Sequence, residues 1–259
     1  MLRNLFCLSC VLLFQQSVFS QTTNILPNTF FNKGEVLGYV LRYGFITGGE
    51  AKLEVRDSCM NGTNLFHIIG LGKTTGIANK LFHVLDIYES YIDKETGMPI
   101  KAIQNVREGR SYKYFNEVNY DRKSNTITSS KSGEHKVKEN TLDVLSAFYY
   151  LRRVDFSKIK EGDIINLRTY FSDEEFPLEL RFRGRETVET RWGDIKCLKF
   201  APVVEPGRVF KTKDDMLIWY SDDANRIPVK IIFELKVGHL TVELRSFSKL
   251  KSVPNFTKD

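Results

Sequence analysis

The chain has 259 residues, 42% of them hydrophobic, and a formal charge of +6. That length supports one large or two small domains with a real core. The basic residues are spread along the chain and not gathered in a block, so no nucleic-acid patch is indicated, and no apolar run reaches the about 20 residues of a membrane helix.

The first twenty residues read as a secretory signal peptide. Arg3 begins it, Leu5 to Phe14 is its apolar stretch, and Val18-Phe19-Ser20 precedes a cut before Gln21. Cys10 lies too early for a lipoprotein signal. Cleavage would remove Cys7 and Cys10 together with Arg3, leaving a charge of +5. Cys59 and Cys197 remain, either paired as a disulfide in an oxidising compartment or held as separate thiols. An exported location follows, periplasmic or elsewhere in the cell envelope.

From Gln21 onward, period-two alternation predicts strands. Leu37, Tyr39, Leu41 and Tyr43 share one face, Ala51, Leu53 and Val55 the next strand's inner face, and Asn61-Gly62 turns the chain into Leu65–Leu71. Further strands are expected at 82–92, 99–107 and 111–120, followed by a polar, lysine-rich loop over Ser129–Glu139. The spacing of Leu142, Leu145, Phe148/Tyr149 and Arg152 predicts a helix over 141–153, with Asn140 or Thr141 as its N-cap and Arg152-Arg153 at the cation-favouring end of its dipole. Strands follow at 164–171, 178–188, 195–200, 208–212, 215–221, 228–237 and 239–247. The expected organisation is all-β: an N-terminal half over 21–140 and a C-terminal half over 154–259. These form two similar curved antiparallel sheets, barrel- or sandwich-like, joined by the short helix into one compact unit.

An internal echo supports two halves of similar plan. Tyr91-Ile92-Asp93-Lys94-Glu95-Thr96-Gly97-Met98-Pro99-Ile100-Lys101 aligns without a gap on Tyr220-Ser221-Asp222-Asp223-Ala224-Asn225-Arg226-Ile227-Pro228-Val229-Lys230. At almost the same offset Gly34-Glu35-Val36-Leu37 falls over Gly162-Asp163-Ile164-Ile165.

Catalytic signatures are sparse. Phosphate-binding loops, G-x-S-x-G elbows and H-E-x-x-H pairs are missing from the sequence. His67, His83, His135 and His239 are scattered without ligand spacing, so neither metal nor cofactor is expected. Asp222-Asp223 beside Trp219-Tyr220 could serve a glycosidase, but Asp93 stands where Asp222 does in the echo, and a turn role explains both. Arg181, Arg183 and Arg185 alternate with Leu180 and Phe182, forming either an anion-binding row or a solvated face. Tyr39, Tyr43, Tyr91, Trp219 and Tyr220, with Phe45, Phe66, Phe82 and Tyr88, are expected on strands, where they would line a ligand cavity or fill a core.

Gly34-Glu35-Val36-Leu37, Tyr43-Gly44, Gly48-Gly49-Glu50-Ala51, the run Asp143 to Arg152, and Trp219 to Asp223 with Ile227-Pro228-Val229 together resemble an exported bacterial family. It is known as domain of unknown function 3108 and is common in Bacteroidetes. The resemblance spans nearly all of the chain after the signal and implies an all-β envelope protein with no catalytic residues to carry over. Tyr91 to Pro99 is also similar to a hairpin of the LolA/LolB lipoprotein carriers, curled sheets that hold acyl chains. The reading that results is non-catalytic binding of an apolar or amphipathic envelope component, with lipid, lipoprotein or another envelope protein as partner. A carbohydrate-active hydrolase using the acidic pair, or a protein-binding adaptor, are the alternatives.

Overall fold

The computed structural model describes residues 24–171, 173–202 and 215–257. The signal segment and the strand expected at 208–212 lie outside them. The N-terminal half contributes β1 (Val36–Tyr43), β2 (Ile46–Met60), β3 (Thr63–Thr74), α1 (Gly76–Leu81), β4 (Leu85–Asp93), β5 (Pro99–Glu108), β6 (Tyr112–Asp121), β7 (Thr126–Ser129) and β8 (Gly133–Lys136). After β9 (Thr141–Leu142) and α2 (Val144–Leu151) come β10 (Ile164–Phe171), β11 (Glu174–Thr190), β12 (Gly193–Pro202), β13 (Met216–Ser221), β14 (Pro228–Glu234) and β15 (His239–Ser248).

Each half is a meander in which neighbours in sequence are neighbours in space. The halves meet at β1 and β15, which pair antiparallel from Val36↔Ser248 to Tyr43↔Leu240. The two curved sheets are therefore continuous, in the order β8 to β1 and then β15 to β9. Among the named strands only the short β9–β10 pairing is parallel. Bulges at Gly38/Tyr39, Leu41/Arg42, Tyr91/Ile92 and Phe182/Arg185 bend the strands, and such insertions sharpen the twist and coil a sheet.

The outermost strands do not hydrogen-bond to each other, yet side chains bring the ends together. Asp173, in the β10–β11 turn, accepts hydrogen bonds from Ser129 (2.5 Å), Tyr170 (2.9 Å) and Asn116 (3.2 Å). Beneath them Tyr170 packs with Ala102, Val118, Tyr120 and Ile127. The result is a barrel-like coil sealed by contacts of the β6–β7 region with β10.

Helix α2 lies inside this coil against β3, β4 and β10. Asp143, not Asn140 or Thr141, is its N-cap. The carboxylate accepts from the Leu145 and Ser146 amides, and Ser146 Oγ accepts from the Asp143 amide. Such reciprocal capping satisfies donors that would otherwise be orphaned. Thr141-Leu142 instead extends as β9 beside Arg168-Thr169. Leu145 reaches the wall at Gly70, where an added Cβ would stand 3.0 Å from its Cδ2.

Three other expectations need correction. Ser129–Glu139 is not a loop throughout: Gly133, at φ +83°, allows a tight turn and β8 pairs back on β7. The strand expected from residue 82 starts at Leu85, because Gly76–Leu81 form α1 and Phe82 is its C-cap. Phe45 likewise sits at the tip between β1 and β2 and not on a strand.

A candidate apolar groove and the buried ion pair beside it

Between α2 and the C-terminal sheet lies a groove of about 440 Å³. Its helical wall is Val144, Ala147, Phe148 and Leu151, and its sheet wall is contributed by β10 to β13 through Leu178, Leu180, Pro202, Ile218 and Tyr220, with the more exposed Phe171 and Phe176 at the mouth. The helix presents this face because its apolar residues recur at i, i+3, i+4 and i+7. Thr169 also lines the groove, but its hydroxyl donates to the Phe176 carbonyl (2.9 Å). Only the Tyr220 hydroxyl is without a hydrogen-bond partner among the polar side chains of this lining. Burial raises the Tyr220 pKa and keeps the phenol neutral. A concave, apolar surface of this size suits a small or chain-like ligand.

Behind Tyr220 the core holds a charge pair. Arg152, 1% exposed, closes a two-pronged contact on Glu35, 0% exposed, at 2.5 and 2.8 Å. Its remaining donors reach the carbonyls of Phe30 (3.0 Å) and Asn225 (2.8 and 3.1 Å). Its plane lies over Phe31 and Tyr149, 5.0 and 5.1 Å from the ring centroids. Burial works against the Arg152 charge, but the attraction and hydrogen bonds of Glu35 outweigh it and leave the pKa raised. The arginine expected to complement the helix dipole is thus also a buried structural cation. It ties α2 to the start of β1 and to the β13–β14 turn. Sequence reasoning quoted both residues, Glu35 within its tetrapeptide and Arg152 within the helix, without any local signal that joins them.

The structure scatters the aromatic candidates. Tyr220 alone reaches the groove. Tyr39 is buried and donates to the Pro228 carbonyl (3.0 Å). Tyr43 is exposed and donates to the Val237 carbonyl (2.6 Å). Tyr91 stacks on His67 with 4.1 Å between centroids. Trp219 is buried, with its indole N–H donated to Glu186.

The acidic pair divides between two tasks. Asp223 Oδ1 accepts from the Asn225 and Arg226 amides and from Ser221, and so caps the β13–β14 turn. Asp93 Oδ1 does the same for Glu95 and Thr96 between β4 and β5. The functional counterpart of Asp93 is therefore Asp223, one residue beyond the position the alignment of the echo assigns. Asp222 instead pairs with Arg185 at 2.9 Å. The hollow beside the two carboxylates is lined by Thr187, Ile195, Lys196, Asn255 and Thr257, with no aromatic platform among the described residues.

The arginine row is interrupted. A bulge between Phe182 and Arg185, with Gly184 at φ +101°, breaks the alternation that would align Arg185 with Arg181 and Arg183. Cys59 and Cys197 do not pair. Cys59 is exposed near the end of β2, whereas Cys197 is buried in β12, where burial pushes its thiol up to about 12. No cluster of three or more potential metal ligands occurs among the described residues.

A profile of the family described as protein of unknown function DUF3108 matches residues 38–245. The chain belongs to this family. No curated protein matches it. A β-barrel-like protein of the DUF1849 family from Brucella abortus superposes on this DUF3108 chain with a TM-score of 0.54 at 9% identity, over 87% of this chain and 98% of the other. A Bacteroides fragilis protein with a YmcC-like fold, described as a candidate exported protein, gives a TM-score of 0.38 at 12% identity, over 88% of this chain and 100% of the other. The first likeness supports the barrel-like fold and nothing beyond it.

Proposed function

We propose that this DUF3108 chain is an exported envelope protein that binds, without chemistry, the apolar chain of an amphipathic lipid in the groove between α2 and β10–β13. The groove carries the reading: a concave wall of aliphatic and aromatic side chains in which the Thr169 hydroxyl is already used and one neutral phenol remains. Burial of a hydrocarbon chain there is favoured at about 25 cal/mol per Å² of apolar surface removed from water. Export is supported by the signal-like N-terminus, and no helix among the described residues is long and apolar enough to cross a membrane. The fixed charges of Arg152 and Glu35 neutralise each other behind the wall, so the groove offers a lipid no unpaired ion to desolvate.

The test is displacement of a fluorescent fatty acid. The chain is expected to bind the probe, Leu178→Trp to weaken binding by filling the groove, and Phe148→Asp to abolish it. Binding unchanged in both variants would place the ligand elsewhere and overturn the assignment.

A further inference from the structure

Exposed apolar side chains gather along one part of one end of the coil. At the opposite end the turns are polar: Asn61-Gly62, the Asp93-capped turn, the Asp121-capped turn and the Asp223-capped turn. At the first end an arc of three consecutive connections is apolar at its tips, and an exposed tyrosine flanks a fourth. The β14–β15 turn presents Val237 (75% exposed) and the β1–β2 turn presents Phe45 (95%). Between β3 and β4, α1 presents Ile77 (75%) and Leu81 (82%), and Tyr112 stands exposed where β6 begins. Among the described residues, apart from Phe171 and Phe176 at the groove mouth, the other large apolar side chains exposed away from this arc are Phe115, Ile164 and Val253.

The arc is one connected surface. The Tyr43 hydroxyl donates to the Val237 carbonyl and the Gly44 amide to the His239 carbonyl. The Thr75 amide donates to the Gly48 carbonyl, and the Gly109 amide to the His83 carbonyl. Its shape is unlike a core exposed by accident. None of the six residues of α1 is buried, and Ile77 and Leu81, four apart, point the same way. Single exposed apolar residues need no explanation, but apolar tips on three adjoining turns do.

The charges on the arc select the occupant. Lys80, Arg110, Lys113 and Lys236 are exposed there, against the acids Asp86, Glu108 and Glu234 at strand ends. Apolar side chains that protrude one by one among cations suit a fluid, anionic interface, which closes around each of them, better than a fixed protein surface. We propose that this arc docks the protein on anionic lipid bilayers, with Phe45, Ile77, Leu81 and Val237 entering the headgroup–acyl boundary. The turn between β10 and β11, at the same end of the sheet, carries the exposed acids Glu174 and Glu175 and lies outside the docking arc. The inference is carried by the arc and does not depend on occupancy of the groove.

Co-sedimentation with phosphatidylethanolamine–phosphatidylglycerol vesicles, and with phosphatidylcholine vesicles as the neutral comparison, tests it. The chain is expected to partition onto the anionic vesicles and to be released by salt. The triple variant Phe45→Asp/Leu81→Asp/Val237→Asp, all at exposed sites, should bind at least about tenfold more weakly. Val253→Asp, near the opposite end, should bind as the parent does, and so should the groove variant Leu178→Trp. A parent chain that stays in the supernatant, or a triple variant that still binds, overturns the proposal. So does a Val253→Asp variant that loses as much as the triple variant.

Discussion

Arg152, at the end of α2, and Glu35, just ahead of β1, form a fully buried two-pronged ion pair across 117 residues of sequence. Its position makes the helix, the first strand and the β13–β14 turn one unit. Removing one partner leaves the other charged and buried, which costs about 3–5 kcal/mol. Arg152→Met and Glu35→Met should each lower stability by that order in denaturant titrations. The double variant should recover a good part of the loss, because no charge is stranded. Losses that simply add would show that the pair is not a coupled unit.

Asp173 gives the seal between the coil's ends a pH signature. Burial opposes its charge, but hydrogen bonds from Ser129, Ser132, Tyr170 and Asn116 hold its pKa down at about 2. A carboxylate whose folded pKa is depressed stabilises the fold above its unfolded value, near 3.9, and loses that contribution as pH falls toward the folded value. Asp173→Asn, which tolerates the φ of +70° at this position, should cost about 1–2 kcal/mol at pH 7. The gap between variant and parent melting temperatures should close between about pH 4 and pH 2. A gap that persists at pH 2 would assign the effect to geometry and not to charge.

Asp143 should prove the decisive cap of α2. Asp143→Ala removes bonds to the Leu145 and Ser146 amides and to Ser90, and a loss of at least about 1 kcal/mol is expected. Asp143→Asn, which keeps an acceptor oxygen, should lose less. Asn140→Ala, at the cap suggested by the sequence, should leave helix capping untouched, as read by amide exchange at Leu145 and Ser146.

The thiols should react one at a time. In the chain beginning at Gln21, a thiol reagent should modify Cys59 in the native state and Cys197 only after unfolding, since Cys197 is buried and its pKa stands at about 12. The intact mass should be that of two free thiols. A mass two daltons lower would contradict the structure.

What could be read in advance follows the range of the interactions. Hairpins such as β2–β3 were legible because alternation around Val55 and the Asn61-Gly62 turn are local, and both turn residues take positive φ. The meander within each half follows from such hairpins. The seam between β1 and β15 and the Glu35–Arg152 pair join residues from opposite ends of the chain, and no local pattern encodes them. The exchange of roles between Asp222 and Asp223 was hidden because the register shifts of the two hairpins, at Tyr91/Ile92 and Trp219/Tyr220, fall one residue apart in the aligned echo. Only Tyr220 of the aromatic candidates reaches the groove: strand membership can be read from alternation, but which inward position faces α2 depends on how the sheet coils.

The central claim is that the groove beside α2 holds an apolar chain. Native mass spectrometry of the protein as purified from an expressing bacterium tests it most directly, with bound molecules extracted and identified and the Leu178→Trp variant run in parallel. A lipid or fatty acid is expected to be bound one to one in the parent and lost from the variant. A parent that flies without ligand and stays so after incubation with host lipid extract would contradict it.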